Sequence, residues 1–443
     1  GLRPSRYLLT KEDCLVLSSE AGALPVDPAR VAYRGRLQPG RILVADLTQG
    51  RIISDEALKA DICSRKPYKE WLRQHRTFIN DLPKVQQKPI PFAGPLAQQQ
   101  KLFGITTEEL RVVLGPMAND RKEPLGSMGA DTPLAVLSNQ SQHLSHYFKQ
   151  HFAQVSNPPI DPIRERMVMS LRTWIGGSKN VLAETPEHCQ AISLKHPILS
   201  NQELASLQQI KLAPYQSATL DATFGLEEDL GDAIERLCET ASLALDEGAN
   251  VLIISDRAAE AERAPIPALL AVGAVHHHLI RTDLRYRTAL VVETGDAREV
   301  HHFATLIGYG AVAVNPYLAF DSLTELQRTH PDFRGFTPDQ LHKNYVKAVN
   351  KGLLKVMSKM GISTIQSYHG AQIFEVLGLD RSVVEQCFAG SVSRIGGLTF
   401  EGIAREVLAR HQAAFPQRPV PKHRLEVGGV YQWKQNEIGR AHV

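Results

Sequence analysis

Between Leu226 and Val314 the apolar residues change their spacing in a regular rhythm, and that rhythm restricts the chain to one class of fold. Leu226, Leu230, Ala233, Ile234, Leu237, Ala241 and Leu245 recur at helical spacing, Gly248 ends the pattern, and Val251-Leu252-Ile253-Ile254 follows as a fully apolar strand. The rhythm repeats twice: 265–280 reads as helix, 289–292 as strand, 297–307 as helix and 311–314 as strand. Short apolar strands separated by helices predict a parallel sheet covered on both faces and joined by right-handed crossovers. Ligands of such sheets bind beyond the carboxyl ends of the strands, here Ser255-Asp256-Arg257, Glu293-Thr294-Gly295 and Asn315-Pro316.

The flanks of this α/β core read differently. Residues 3–54 are strand-like, with strands at 6–9, 14–18, 31–33, 41–46 and 51–54 and a turn at Leu47-Thr48-Gln49-Gly50. Their partners are expected outside the chain, leaving exposed edges. Short helices follow at 55–62, capped by Ser54 or Asp55, and at 68–75. A linker rich in proline and glutamine, with Pro83, Pro89, Pro91 and Pro95, puts a domain boundary near Leu72. Thr106 and Glu109 form a capping box, so a helix should run to Leu114 and stop at Gly115-Pro116. An amphipathic helix is expected over 141–152. From Asp321 onward the pattern is mainly helical: a long helix from Thr337-Pro338 to Met360, closed by Gly361, and further helices at 370–377, 381–387 and 400–412.

Charge and cysteine usage narrow the function classes. Lysine and arginine number 50 against 47 acidic residues, a balance that points to neither nucleic acid nor a membrane surface. The five cysteines, Cys14, Cys63, Cys189, Cys238 and Cys387, are scattered, which indicates no disulfide framework or structural zinc and suits a reducing cytosol. The most apolar stretch, 264–275, is too short for a membrane helix. The chain starts at Gly1 and reads at once as the middle of a domain, so a fragment is expected.

Two loops stand out. In Leu125-Gly126-Ser127-Met128-Gly129-Ala130-Asp131-Thr132-Pro133, two glycines permit close backbone approach and Met128 sits at the tip. Its thioether suits a flat ring or a carbon chain, while spacing alone favours the filling of an irregular gap. In Ser156-Asn157-Pro158-Pro159-Ile160-Asp161-Pro162, three prolines give a stiff loop, with Asp161 and Pro162 set to start a helix.

Other motifs carry less. Gly308-Tyr309-Gly310-Ala311-Val312-Ala313 fits a dinucleotide pattern but lies between helix and strand, whereas that fingerprint needs strand, turn, then helix. His276, His277 and His278 are adjacent on a helix and point about 100° apart, so they do not converge on one metal ion; His301 and His302 share the problem. Lys343, Lys347, Lys351, Lys355 and Lys359 form a solvated helix face or an anion-docking stripe. Spacing alone yields no active site.

Four stretches carry a family resemblance. Gly1-Leu2-Arg3-Pro4-Ser5-Arg6-Tyr7, Glu123-Pro124-Leu125-Gly126-Ser127-Met128-Gly129, the run from Phe152 through Ser156-Asn157-Pro158-Pro159-Ile160 to Glu165, and Lys355-Val356-Met357-Ser358-Lys359-Met360-Gly361-Ile362-Ser363 resemble the glutamate synthase large subunit, a likeness running from Gly1 to about Trp433. The resemblance implies a β-rich remnant of an N-terminal-nucleophile amidotransferase domain over 1–72, a central domain core over 73–320 with a parallel sheet, and a helical continuation over 321–433 toward an FMN-binding barrel. Residues 434–443 break the pattern and read as a non-native tail.

In that family glutamine-derived ammonia crosses an internal tunnel and condenses with 2-oxoglutarate, and reduced FMN delivers hydride to give L-glutamate. Electrons come through iron-sulfur clusters from a small NADPH-dependent subunit or from ferredoxin. By resemblance, Ser127, Met128 and Gly129 face FMN and 2-oxoglutarate, and Ser156, Asn157 and Ile160 lie near the tunnel entrance. The nucleophilic cysteine at the chain start and the close three-cysteine spacing of a 3Fe-4S cluster are missing from this sequence. The chain alone is therefore expected to hold no cofactor and to catalyse nothing. Two other readings are a non-catalytic α/β scaffold or binding module derived from the central domain, and a self-contained dehydrogenase, which the misplaced glycine motif opposes.

Overall fold

The apolar run at 251–254 becomes Val251–Ser255, the second of four strands in an all-parallel sheet. The structure, a computed structural model, describes residues 5–38, 40–85, 94–124, 133–151, 163, 165–418 and 424–428. These fall into two compact units, one ending at His75 and one beginning at Arg76.

In the second unit the strands lie in the order Ser217–Asp221, Val251–Ser255, Ala289–Glu293 and Ala311–Asn315, with Ile253 set between Thr219 and Val291. Spatial order follows chain order without reversal. The helices Leu230–Asp246, Ala268–Arg281 and Val300–Gly308 therefore all cover one face: Leu252, Ile254, Leu290 and Val292 pack in one core with Ile234, Leu237, Val272 and Phe303.

The alternate residues Val251, Ile253, Ala289 and Val291 turn the other way. They meet Ile175 and Ile192 from a small sheet of Arg76–Phe78, Ala191–Leu194 and Thr173–Ile175, and Leu204 and Leu207 from the helix Asn201–Gln208. Both faces are thus covered, but the second is roofed by a sheet and a separate helix rather than by crossover helices. Each such side chain, removed from water, contributes about 1.5–3 kcal/mol.

Local signals account for the helix starts. Asp229 caps Leu230–Asp246 by accepting from the amides of Gly231 and Asp232. Thr337 and Gln340 close a reciprocal box at the start of the long helix Pro338–Lys359, and Gly361 follows it at φ +68°. The Thr106–Glu109 box also forms, the Thr106 amide donating to Glu109 at 2.8 Å. Its helix does not stop at Leu114, however. Glu109–Leu114 is a π-helical stretch that runs directly into Gly115–Asp120, so Pro116 lies at the junction of the two instead of beyond a helix end.

Two expected helices are absent. Over 370–377 the chain forms the strand Phe374–Leu379, parallel to Val392–Leu398 and antiparallel to Phe148–Gln150. Phe374 and Val376 are buried while Glu375 and Leu377 are less so, the period of a strand. Over 141–152 a 3-10 turn, Leu144–Tyr147, leads into the strand Phe148–Gln150.

In the first unit Arg6–Thr10 pairs antiparallel with Leu15–Ser18 and with Val31–Arg36, and Val44–Asp46 pairs with Arg51–Ile53. Helices Asp55–Ser64 and Tyr68–His75 follow, the first capped by Ser54. Leu17 and Tyr33 are 56% and 55% exposed on these strands, as befits β-structure whose packing partner belongs elsewhere.

Candidate functional site

The residues expected to carry function, Ser127, Met128 and Gly129 on one loop and Ser156, Asn157 and Ile160 on the other, lie outside the described residues. The feet of both loops do not, and they converge. Glu123, just before the first loop, is within electrostatic reach of Lys355; burial pushes its carboxyl up and the lysine opposes that shift. Beyond that loop, Val136 rests on Gly378, where any added Cβ would come within 2.3 Å of it. Gly378 also has φ +97°, so a glycine is required there twice over.

The second loop is rooted on the same ground. Before it, the Gln150 side-chain amide donates to the Val356 carbonyl at 3.1 Å and the His151 amide to the Ile373 carbonyl at 2.7 Å. After it, the Ser358 hydroxyl lies 3.0 Å from the Glu165 carboxylate and 2.8 Å from the Lys355 carbonyl. The end of the long helix and the chain at Ile373 and Gly378 therefore carry contacts to the described feet of both loops.

The carboxyl ends of the parallel strands look different from the sequence expectation. Asp256 accepts from the Thr294 hydroxyl at 2.5 Å, the Tyr317 hydroxyl at 2.8 Å and the Gly295 amide at 3.1 Å, while burial pushes its carboxyl up to about 8. Glu293 accepts from the Ser255 hydroxyl at 2.8 Å, Arg257 at 3.0 Å and Gln208 at 3.2 Å. The Arg257 guanidinium stacks 3.7 Å over the Tyr317 ring, and Phe103 presses so closely on Gly295 that a Cβ there would lie 2.6 Å from it. The protein's own side chains thus fill the place where a ligand was expected. They lock three strand ends and a helix together instead.

The histidines divide among separate partners. His276 accepts from Arg285 at 2.9 Å, His277 bonds the Gly273 carbonyl at 2.9 Å, and His278 bonds Ser242 at 2.8 Å. His302 stacks on His143 with ring centres 3.9 Å apart, and His301 reaches the carbonyls of Ser145 and Phe148. Among the described residues no group of three or more histidine, cysteine or acidic side chains could hold a metal. Gly308 ends a helix and Gly310, at φ +112°, turns into the strand Ala311–Asn315, the reverse of the dinucleotide arrangement.

A family model for the glutamate synthase central domain matches residues 98–380, more than half of the chain, and one for class-II glutamine amidotransferases matches residues 1–71. The chain belongs to the glutamate synthase family. It is 46% identical over 430 residues to a glutamate synthase [NADH] of Schizosaccharomyces pombe, covering 94% of this chain and 20% of that one. A glutamate synthase [NADPH] large chain of Bacillus subtilis is 44% identical over 434 residues, 98% of this chain and 28% of its own length. A ferredoxin-dependent glutamate synthase 2 of Synechocystis is 42% identical over 431 residues, covering 94% and 28%. The chain therefore spans between a fifth and three tenths of these relatives. Among solved structures, the flavin-binding domain of baker's yeast flavocytochrome b2 aligns at TM-score 0.34 and 10% identity, over 67% of this chain and 97% of that one.

Among the described residues, neither the cysteines nor the strand ends make a site for the redox groups that the resemblance implies. Cys238 and Cys387 are buried, and burial pushes the Cys238 thiol up to about 12 and that of Cys387 upward as well; Cys14 and Cys63 are exposed on the first unit. Two buried, protonated thiols do not make a three-cysteine cluster cradle. Asp256, Glu293 and Phe103 at the strand ends likewise do not suit a flavin phosphate. Val136 belongs to the apolar run Leu134-Ala135-Val136-Leu137 that the sequence marks as anchoring the first loop, whereas Gln150 and Ser358 went unnoticed as anchors because each acts on a partner far along the chain.

Proposed function

We propose that this chain is the part of a glutamate synthase large subunit that joins a glutamine-hydrolysing site to a synthase site and frames the ammonia path between them. The longer protein would make L-glutamate from glutamine-derived ammonia and 2-oxoglutarate with reduced FMN, in the cytoplasm, taking electrons through a 3Fe-4S cluster from a small NADPH-dependent subunit or from ferredoxin. Both redox groups are assigned to the longer protein. On this reading residues 1–72 close the amidotransferase domain, 73–320 form the central core, and 321–433 continue toward the flavin barrel.

Ser127, Met128 and Gly129 are the residues proposed to face FMN and 2-oxoglutarate, and Ser156, Asn157 and Ile160 those proposed to border the tunnel. The observation that supports this is the shared platform: two loops rooted on Lys355 to Ser358 and on Phe374–Leu379 keep a fixed spacing at their bases. An enclosed path keeps ammonia neutral, whereas water would protonate it and remove its nucleophilic lone pair. The chain's contribution is to hold the two loops in register and to exclude solvent. In the full-length enzyme, Met128→Ala is expected to lower glutamate formation from 2-oxoglutarate more than glutamine hydrolysis. Equal loss of both activities would refute a flavin-facing role for that loop.

A further inference from the structure

A cavity of about 390 Å³ opens where the π-helical stretch Glu109–Leu114 meets the end of the helix Tyr317–Thr329 and the short turn Pro331–Phe333. None of its lining residues is among the loop feet or strand-end residues described above, and the function proposed above makes no use of it. Its volume falls in the range of small-molecule sites. The π-helical backbone forms one wall, a feature frequent at binding sites. Gly115 keeps the wall open: a Cβ there would lie 3.1 Å from the Leu110 carbonyl and 3.2 Å from the Phe333 ring.

The lining is sorted by chemistry. Leu110, Leu326 and the buried ring of Phe333 give an apolar floor. Arg111 stands exposed on one side of the lining, and Asp120 and Asp332 supply carboxylates. Asp332 lies 3.6 Å from His330, whose ring packs 5.6 Å from that of Phe333. One guanidinium for an anion, carboxylates for a cation and apolar side chains in the same lining supply partners for the three parts of a single small ligand.

We propose that this cavity binds a free α-amino acid with an apolar side chain, its carboxylate on Arg111, its ammonium on Asp332 or Asp120, and its side chain on Leu326 and Phe333. Ligand-detected NMR on the 443-residue chain, with L-phenylalanine as probe, tests it. The expected result is binding with a Kd of about 1 mM or tighter. Binding should weaken by about tenfold or more for the methyl ester, which lacks the carboxylate, and for 3-phenylpropionate, which lacks the ammonium. Arg111→Gln, a substitution of an exposed side chain, should weaken it similarly while the circular dichroism spectrum stays unchanged. Undetectable binding at about 10 mM, equal binding of all three compounds, or binding untouched by Arg111→Gln would each overturn the proposal.

Discussion

Glu109 and Arg298, 189 residues apart in the chain, meet as an ion pair at 2.7 Å with the arginine side chain only 5% exposed. Arg298 also donates to the carbonyls of Phe103, Gly104 and Asp296, and its own carbonyl accepts from the Tyr345 hydroxyl. It thereby ties the π-helical stretch to the sheet and to the long helix. Glu109→Ala leaves a buried guanidinium without its counter-charge, and a loss of about 3–5 kcal/mol is expected. Replacing both residues, Glu109→Leu with Arg298→Met, should cost less than the single change. Denaturant unfolding of the two variants checks the order, and a double variant weaker than Glu109→Ala would contradict it.

Acid should loosen the second unit through its buried histidines. Burial, reinforced by the Arg285 charge, holds the His276 imidazole down to about 3 and that of His369 down to about 4, and burial among cationic and histidine neighbours holds His302 well below its ordinary value. Between those values and about 6.5 the unfolded chain binds protons that the folded chain refuses, so stability is present above that window and falls as pH drops through it. Each histidine adds up to about 1.4 kcal/mol per pH unit there. Melting temperatures measured from pH 7.5 down to about 5 should fall, and a flat profile would contradict the assignment.

Asp256 works in the opposite sense. Its carboxyl, raised to about 8, keeps a proton in the fold that the unfolded chain releases, so its contribution is greatest at low pH and is lost as pH rises through about 8. Asp256→Asn should flatten that alkaline loss. Chemical denaturation at pH 6 and pH 9 measures the effect, and a variant that loses as much stability between these two as the parent would contradict the assignment.

Gly378→Ala should disturb the base of the first loop specifically. The position combines φ +97° with the Val136 side chain 2.3 Å from any Cβ. A loss of about 1–3 kcal/mol is expected from the backbone strain alone. Faster proteolysis within residues 125–136 than elsewhere would reveal where the strain is relieved; uniform resistance would count against Val136 as that loop's anchor.

The parallel sheet was legible because fully apolar runs such as Val251 to Ile254 alternate regularly with stretches at helical spacing. The capping pairs Thr106 with Glu109 and Thr337 with Gln340 were legible because both partners sit three residues apart. Phe374–Leu379 was not, since a short apolar run reads equally well as helix until its neighbours Val392–Leu398 and Phe148–Gln150 are known. The small sheet on the second face was hidden for the same reason: Arg76–Phe78 and Thr173–Ile175 are three residues long and gain meaning only beside Ala191–Leu194. The platform is a long-range feature throughout, because the Ser358 hydroxyl meets Glu165 across 193 positions of chain.

The most direct measurement follows nitrogen through the full-length enzyme. Glutamine carrying 15N in its side-chain amide is supplied together with excess unlabelled ammonium, and the label in the glutamate newly formed from 2-oxoglutarate is read by mass spectrometry. With the platform intact the label should pass almost undiluted; with Gln150→Ala and Ser358→Ala combined, it should be diluted by external ammonium while glutamine hydrolysis persists. Undiluted transfer in that folded double variant would contradict the view that these anchors hold the ammonia path in register.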